Sequence, residues 1–357
     1  MDAPAHGIQA LLGLAIEHEA SDLLLSVGSP AALRVDGVLR SVGERSLSAE
    51  ELERTVEYLL APAQRERLHH ERHIDIGFTQ VDRRWRGSVS FAESQPTVAL
   101  RLFPRQVPSP AELGLPAAAM DLLQRPWGLV LVTGPTGHGK TTTVASMVDA
   151  INRREPKHIV TIEDPVEYVH TPHRSLVDHQ EVGRDTPSFP AALRQVVRHS
   201  PDVIVVGEIR DRESVEAALT IAETGHLVLT TLHANDAVQA IDRLVTFFPR
   251  DQQPYIQGQL AMVTAAILNQ RLVRSRQGGR VLAAEVLVNS HSVAHLIREG
   301  RTSQLHSALE AERSHGSLSM NHALGVLVDR GTVHVAEARR YLNPLESDVF
   351  GLGRGTE

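Results

Sequence analysis

The sequence contains no cysteine, which excludes disulfide bonds and any zinc site built from thiolates. It also lacks an excess of basic residues: the formal net charge is −7, so no nucleic-acid partner is expected. No apolar run approaches the length of a membrane span, and the N-terminal MDAPAHGIQ lacks a signal-peptide pattern. We therefore expect a cytoplasmic protein. With 357 residues, 42% of them hydrophobic, the chain is long enough for two domains.

A short branched apolar run, Leu129–Thr133, leads into glycine-rich Gly134–Thr141 and then into a helical pattern. This is the strand–loop–helix context in which G-x-x-x-x-G-K-[ST] forms a P-loop. Its glycines let backbone N–H groups face phosphate, Lys140 reaches the β- and γ-phosphates, and the Thr141 hydroxyl binds Mg²⁺. At His138, a variable position, mainly the backbone N–H is expected to matter. The sequence therefore predicts ATP or GTP binding by Gly134, Pro135, Thr136, Gly137, His138, Gly139, Lys140, Thr141 and Thr142.

Two further apolar runs end in acidic residues. Asp202–Gly207 is followed by Glu208, as in a Walker B strand, but Gly207 occupies the usual aspartate position. Glu208 is therefore left to organise Mg²⁺ or water. The segment Thr161–Glu167 places three carboxylates, beginning with Glu163, where open α/β sheets bind ligands. One of these carboxylates can orient an attacking water, and an exposed acidic turn is the alternative interpretation.

One histidine stands at each end of the next strand-like run. His233 follows this strand, on the phosphate-binding edge if the sheet is parallel, where it can bond the γ-phosphate. His226 precedes the strand. For both residues the alternative is an ordinary structural histidine.

The order of the elements indicates two domains. Residues 1–105 are predicted to form an α+β domain that begins with an amphipathic helix over Ile8–Glu17. Three prolines predict a linker at 106–120. Residues 121–345 alternate strands and helices, as in a mostly parallel sheet covered by helices, and helices dominate the C-terminal part. The polar residues 346–357 are expected to form a mobile tail.

Three segments resemble the Asp box, the atypical Walker B and the His box of the type II/type IV secretion ATPase superfamily: Thr161–His170, Asp202–Asp211 and Gly225–Ala234. Further segments resemble its type IV pilus retraction ATPases: Ala20–Leu23, Leu33–Gly37, Gly128–Gly137, Gly207–Asp211 and Leu296–Gly300. The resemblance extends from about residue 11 to about residue 342. It implies an α/β fold with an N-terminal PAS-like α+β domain and a RecA-like P-loop ATPase domain with a helical C-terminal part.

The same resemblance implies a homohexameric motor that hydrolyses ATP with Mg²⁺ to power pilus retraction and twitching motility. The implied partners are an inner-membrane pilus platform protein and a paralogous pilus ATPase, and the implied location is cytoplasmic, peripheral to the inner membrane. Glu163 falls on the family's catalytic carboxylate and Glu208 on its Mg²⁺-organising Walker B glutamate. His226 and His233 fall on the His-box histidines, of which His226 is assigned to nucleotide binding and His233 to catalysis.

Arg86 and Arg101 align with arginines of the family's first domain that close over the nucleotide, a role suited to a planar guanidinium. The chain also departs from the family pattern. Val293–His295 stands where Ile-Arg-Asn is usual, Ser200 where an acid is usual, and His138 where serine is usual. The first departure leaves open whether the chain is a principal retraction motor or an accessory paralogue.

Three alternatives follow from the sequence. The chain can be an accessory nucleotide-binding ring member with little activity of its own. It can be a pilus assembly or secretion ATPase, although those branches carry a four-cysteine zinc site and this chain has no cysteine. It can also be a DNA-translocating ring ATPase, which would require basic pore residues and salt-sensitive DNA binding.

Overall fold

The computed structural model describes residues 7–35, 37–104 and 106–346. The helices are α1 (Ile8–Glu17), α2 (Ala49–Leu59), α3 (Pro62–Glu71), α4 (Pro110–Leu113), α5 (Ala117–Asp121), α6 (Lys140–Arg154), α7 (Phe189–Val196), α8 (Arg212–Glu223), α9 (Ala237–Thr246), α10 (Gln253–Val263), α11 (His291–Arg298), α12 (Leu305–Ala311), α13 (Met320–Asp329) and α14 (Val335–Ala338). The strands are β1 (Asp22–Ser26), β2 (Ala32–Val35), β3 (Val38–Ser41), β4 (His73–Gln80), β5 (Arg83–Ala92), β6 (Gln95–Leu102), β7 (Gly128–Thr133), β8 (His158–Glu163), β9 (Leu176–Glu181), β10 (Val203–Val206), β11 (Leu227–Leu232), β12 (Thr264–Arg274) and β13 (Arg280–Val288). The α/β class predicted from the sequence is confirmed.

One compact unit contains Met1–Gln106 together with Pro165–Val169. Its sheet has the order β3-β2-β1-β6-β5-β4, and all neighbouring strands are antiparallel. Alternate side chains of this sheet pack with α1, α2 and α3 around the fully buried Trp85. Helix α2 begins at a capping box, in which the Ser48 hydroxyl accepts from the Glu51 N–H and the Glu51 carboxylate accepts from the Ser48 N–H.

The second compact unit contains Val107–Asp164 and His170–Glu357. Its sheet has the order β13-β12-β7-β11-β10-β8-β9, in which only the β12–β13 pair is antiparallel. Every residue of β7, β10 and β11 is buried, because helices cover both faces of the sheet. Leu129 and Leu131 of β7 belong to one core, while Val130 and Val132 belong to the core on the opposite face.

The segment 106–120, predicted as a linker, holds α4 and all of α5 except its last residue, Asp121. Leu115, Ala118 and Met120 pack against a core of the second unit. Pro110 is the first residue of α4, a position whose N–H needs no partner, so this proline starts a helix. The predicted tail at 346–357 lies outside the described residues except for Glu346, whose carboxylate accepts from the Asn321 N–H at 2.8 Å. Among the described residues, no helix is long and apolar enough to cross a membrane.

We expect Ile204→Ala to lower the free energy of unfolding of the second unit by roughly 2–5 kcal/mol, because it leaves a cavity in the middle of the sheet. Ile204 on β10 is 0% exposed. The matched control is Leu176→Ala on β9 of the same sheet, where the side chain is 57% exposed and the expected change is within about 0.5 kcal/mol. Differential scanning calorimetry measures both. Equal losses in the two variants would contradict this account of the core.

Candidate active site

Four adjacent parallel strands bring the predicted residues to one sheet edge. In the order β7-β11-β10-β8, Thr133 pairs with Leu232, and Val206 pairs with both Thr230 and Ile162. The P-loop follows β7, His233 follows β11, Glu208 follows β10 and Glu163 ends β8. Since neighbouring strands lie ~4.8 Å apart, these residues form a row along the carboxyl edge.

The P-loop is held close to the neighbouring strand β12. A Cβ at Gly134 would lie 2.6 Å from the carbonyl oxygen of Gln270, and the φ of Gly134 is +144°, so only glycine fits. Helix α6 then begins at Lys140 without a side-chain cap, and Thr141 and Thr142 lie in its first turn. This end of the helix carries the positive end of the helix dipole and is therefore suited to binding an anion.

Lys140 is buried and its ammonium group has three acceptors. It donates to the carbonyl oxygens of Gly134 and Pro135, each at 3.0 Å, and to Nδ1 of His233 at 3.4 Å. Burial lowers the pKa of Lys140, and the charge of Glu208 partly opposes this shift. Phosphate oxygens can replace these neutral acceptors, so Lys140 is placed to bind a phosphate group.

His233 links the P-loop to the Walker B acid. Because Nδ1 faces the Lys140 ammonium group it must accept, so the network assigns the proton to Nε2, which donates to Glu208 Oε1 at 3.1 Å. Burial first, and then the charge of Lys140, lowers the pKa of His233, which keeps the imidazole neutral. Arg210 donates to the other Glu208 oxygen at 2.9 Å. Lys140, His233 and Glu208 thus form one hydrogen-bonded chain.

A cavity of about 250 Å³ lies beside the hydrogen-bonded series Lys140–His233–Glu208. It is lined by Gly134, Pro135, His233, Ala234, Asn235, Gln239 and Arg243. Its walls come from the P-loop, from the turn between β11 and α9, and from α9 itself, so it lies on the phosphate side of the site.

Glu163 faces a histidine that sequence reasoning did not single out. Nδ1 of His179 lies 4.0 Å from Glu163 Oε1 and 2.9 Å from the Thr161 hydroxyl, while Nε2 accepts from the His170 N–H at 3.1 Å. The proton of His179 is therefore on Nδ1, where it is donated to the Thr161 hydroxyl, with the Glu163 carboxylate 4.0 Å away. Finding this contact requires knowledge of the β8–β9 pairing, in which Thr161 lies opposite His179.

The glycine at the usual Walker B aspartate position has a steric reason. A Cβ at Gly207 would lie 3.3 Å from the Ile162 carbonyl oxygen and 3.4 Å from the Glu163 Cα. The close passage of β8 thus favours glycine at 207 and leaves the acidic role to Glu208.

The structure does not bring His226 to the phosphate edge. It precedes β11, and its carbonyl accepts from the N–H of Gly128 at the start of β7. Its Nδ1 lies 3.1 Å from the Thr224 hydroxyl and 3.2 Å from the Ile221 carbonyl oxygen. Six strand residues at ~3.3 Å each separate it from His233, roughly 20 Å. Within one subunit, His226 is therefore remote from the P-loop.

Arg86 and Arg101 are cross-strand neighbours in the first unit, where Asp22 is the next residue in the same row. Arg86 donates to Asp75 at 2.9 Å and lies 3.9 Å from Glu167, and Arg101 donates to Asp22 at 2.9 Å. Both arginine side chains are exposed, so these ion pairs contribute little to stability.

Comparison with known proteins places this geometry in a family. The family model described as type II/IV secretion system protein matches residues 5–340. The type IV pilus retraction ATPase PilT of Pseudomonas aeruginosa is 37% identical over 333 residues, which cover 93% of this chain and 97% of PilT. The pilus ATPase PilU of the same organism is 36% identical over 333 residues, which cover 92% of this chain and 87% of PilU.

A crystal structure of the pilus retraction motor PilT with bound ADP is similar over nearly its whole length. The TM-score is 0.87 at 39% sequence identity, and the match covers 95% of this chain and 98% of that chain. The recognition made from the sequence is therefore confirmed. The chain belongs to the type II/IV secretion system protein family, and it is a P-loop ATPase similar to the pilus retraction ATPases.

Proposed function

We propose that this chain is a homohexameric, ATP-hydrolysing motor of type IV pilus retraction and twitching motility, working from the cytoplasm on an inner-membrane platform protein. The observation that carries the proposal is the hydrogen-bonded chain Lys140–His233–Glu208 at the P-loop cavity. The similarity to the retraction ATPase PilT and to its ADP-bound structure supports ATP as the nucleotide.

In this proposal Lys140 and the N-terminal amides of α6 bind the phosphates, and Glu163 orients the attacking water. The His179 imidazole lies 4.0 Å from the Glu163 carboxylate and forms part of its surroundings. His233 is proposed to contact the γ-phosphate once Lys140 has turned to the phosphates. Because an ionised phosphate oxygen only accepts, this bond requires the tautomer with its proton on Nδ1. These roles use residues that lie along one sheet edge.

Mg²⁺ fits the donor set at this edge. It prefers oxygen ligands, and the Thr141 hydroxyl together with the Glu208 carboxylate would hold it. His233 and Arg210 each donate to Glu208, so the carboxylate is already oriented. When bound, the ion supplies neutralisation of phosphate charge.

Arg86 and Arg101 are proposed to close over the nucleotide. Their resting partners are the exposed Asp75 and the more buried Asp22. Each pair includes an exposed arginine and is expected to contribute about 0–1 kcal/mol, so phosphate charge can displace it. Exchange of partners during each turnover would couple hydrolysis to a rigid-body rotation.

An accessory ring member remains the second candidate. The nearly equal identities to PilT and PilU, 37% and 36%, favour neither relative. The segment Val293–His295, which departs from the family pattern, lies in the middle of α11, outside the residues proposed for hydrolysis. A paralogous pilus ATPase is accordingly proposed as a partner.

We expect Glu163→Gln to reduce the steady-state ATPase rate by about 10²–10⁴-fold while ADP binding changes by less than about threefold, because only water activation is lost. The matched control is Glu155→Gln at the opposite end of β8, where the carboxylate pairs with Lys157. Phosphate release and calorimetric ADP titration measure the two quantities. A Glu163→Gln turnover near wild type would show that another residue positions the water.

In the source organism, we expect a strain lacking this chain to regain twitching when it is supplied with wild type but not with Glu163→Gln. Zone diameter and the retraction of labelled pili measure the outcome, and light scattering of purified protein with Mg²⁺ and ATP checks for the hexamer. Full rescue by Glu163→Gln would favour the accessory ring.

A further inference from the structure

The side chain of His138 makes a contact that the P-loop pattern does not predict. Strand β7 ends at Thr133, opposite Asn269, whereas β12 continues to Arg274. The N–H of Leu272 therefore lies beyond the end of the neighbouring strand. It donates to Nδ1 of His138 at 2.9 Å, so an imidazole from the phosphate loop takes the place of the missing strand.

A second bond holds the same residue. The side-chain amide of Gln270 donates to the His138 carbonyl oxygen at 2.5 Å. Gly134 also approaches the Gln270 carbonyl closely, so the end of β12 packs against the loop at two places. His138 is hydrogen-bonded to β12 through both its side chain and its backbone.

Both hydrogen bonds hold a residue that lies between two glycines of the loop. Gly137 and Gly139, on either side of His138, have φ of +76° and +82°. Glycines leave a loop many alternative conformations, and binding must then offset the entropy of ordering them. The hydrogen bond from the Leu272 N–H to His138, which lies between these glycines, restricts those conformations before the nucleotide binds.

This bond requires a neutral imidazole, because a protonated Nδ1 cannot accept. Burial first, and then Arg271, Arg280 and Lys140, lowers the pKa of His138. These are the charged groups that face it: two on the β12–β13 hairpin and one on α6. The acceptor is thus present at neutral pH and is lost as the pH falls below the ordinary range of histidine.

We propose that His138 is a positioning residue, whose imidazole fixes the phosphate loop to β12 in the conformation that binds nucleotide. The inference deepens the proposed function, since it rests on nucleotide binding at this loop, and it is independent of the role in pilus retraction. It also gives a function to a position at which the family usually has serine.

The test compares His138→Asn with His138→Leu. Asparagine carries Oδ1 where histidine carries Nδ1, and leucine has nearly the shape of asparagine but no acceptor. We expect the Kd for ADP with Mg²⁺ at pH 7.5 to stay within about twofold in His138→Asn and to rise about tenfold in His138→Leu, since the Leu272 N–H loses its partner. Isothermal titration calorimetry measures both, and thermal unfolding of each variant verifies folding.

A pH series separates positioning from mere packing. From pH 7.5 to 5, the wild-type Kd should rise relative to that of His138→Asn, because only the histidine loses its acceptor on protonation. Other groups that titrate in this range, including His233 and the nucleotide, are common to both proteins. This comparison also stands if His138→Leu fails to fold.

Wild-type affinity in His138→Leu, or parallel pH profiles for wild type and His138→Asn, would overturn the proposal. Absence of ADP binding by the wild type would instead refute the nucleotide site itself.

Discussion

The parallel register of β7, β11, β10 and β8 is the constraint on which the site depends. Parallel strands in adjacent positions must all turn at the same edge, so their following residues meet there. Because β11 lies between β7 and β10, His233 at the end of β11 lies between Lys140 and Glu208. The two hydrogen bonds of its neutral imidazole follow from that position. The same topology sends His226 to the far edge.

Much of this site could be predicted because its signals are local. The P-loop, Glu208 and His233 each follow directly from a buried strand, so strand and function are read from the same few residues. The contact of His138 with Leu272 could not be predicted from the sequence, because it joins residues 134 positions apart. The contact of His179 with Glu163 likewise depends on knowing that β9 pairs with β8.

The fold shows the same division between local and distant information. The capping box at Ser48 is a local signal and it marks the start of α2. The prolines of 106–120 are equally local, but a proline can end one element or start another. Pro110 starts α4 and Pro116 precedes α5, and only the core of the second unit decides that these short helices dock.

The resting partners of the cations distinguish the two halves of the proposed catalytic machinery. Around the P-loop, Lys140, Arg271 and Arg280 donate to backbone carbonyl oxygens of Gly134, Pro135, Asn235 and Gly137. In the first unit, Arg86 and Arg101 donate to carboxylates.

Phosphate that displaces a neutral carbonyl leaves no charge unpaired, whereas phosphate that takes an arginine from a carboxylate removes positive charge from beside it. Asp75 would lose Arg86, and Asp22 would keep Arg34, at 3.6 Å. We therefore expect the loop to bind nucleotide readily and the first-unit arginines to exchange partners only when nucleotide charge is already in place. Such an order makes closure depend on binding, as a motor requires.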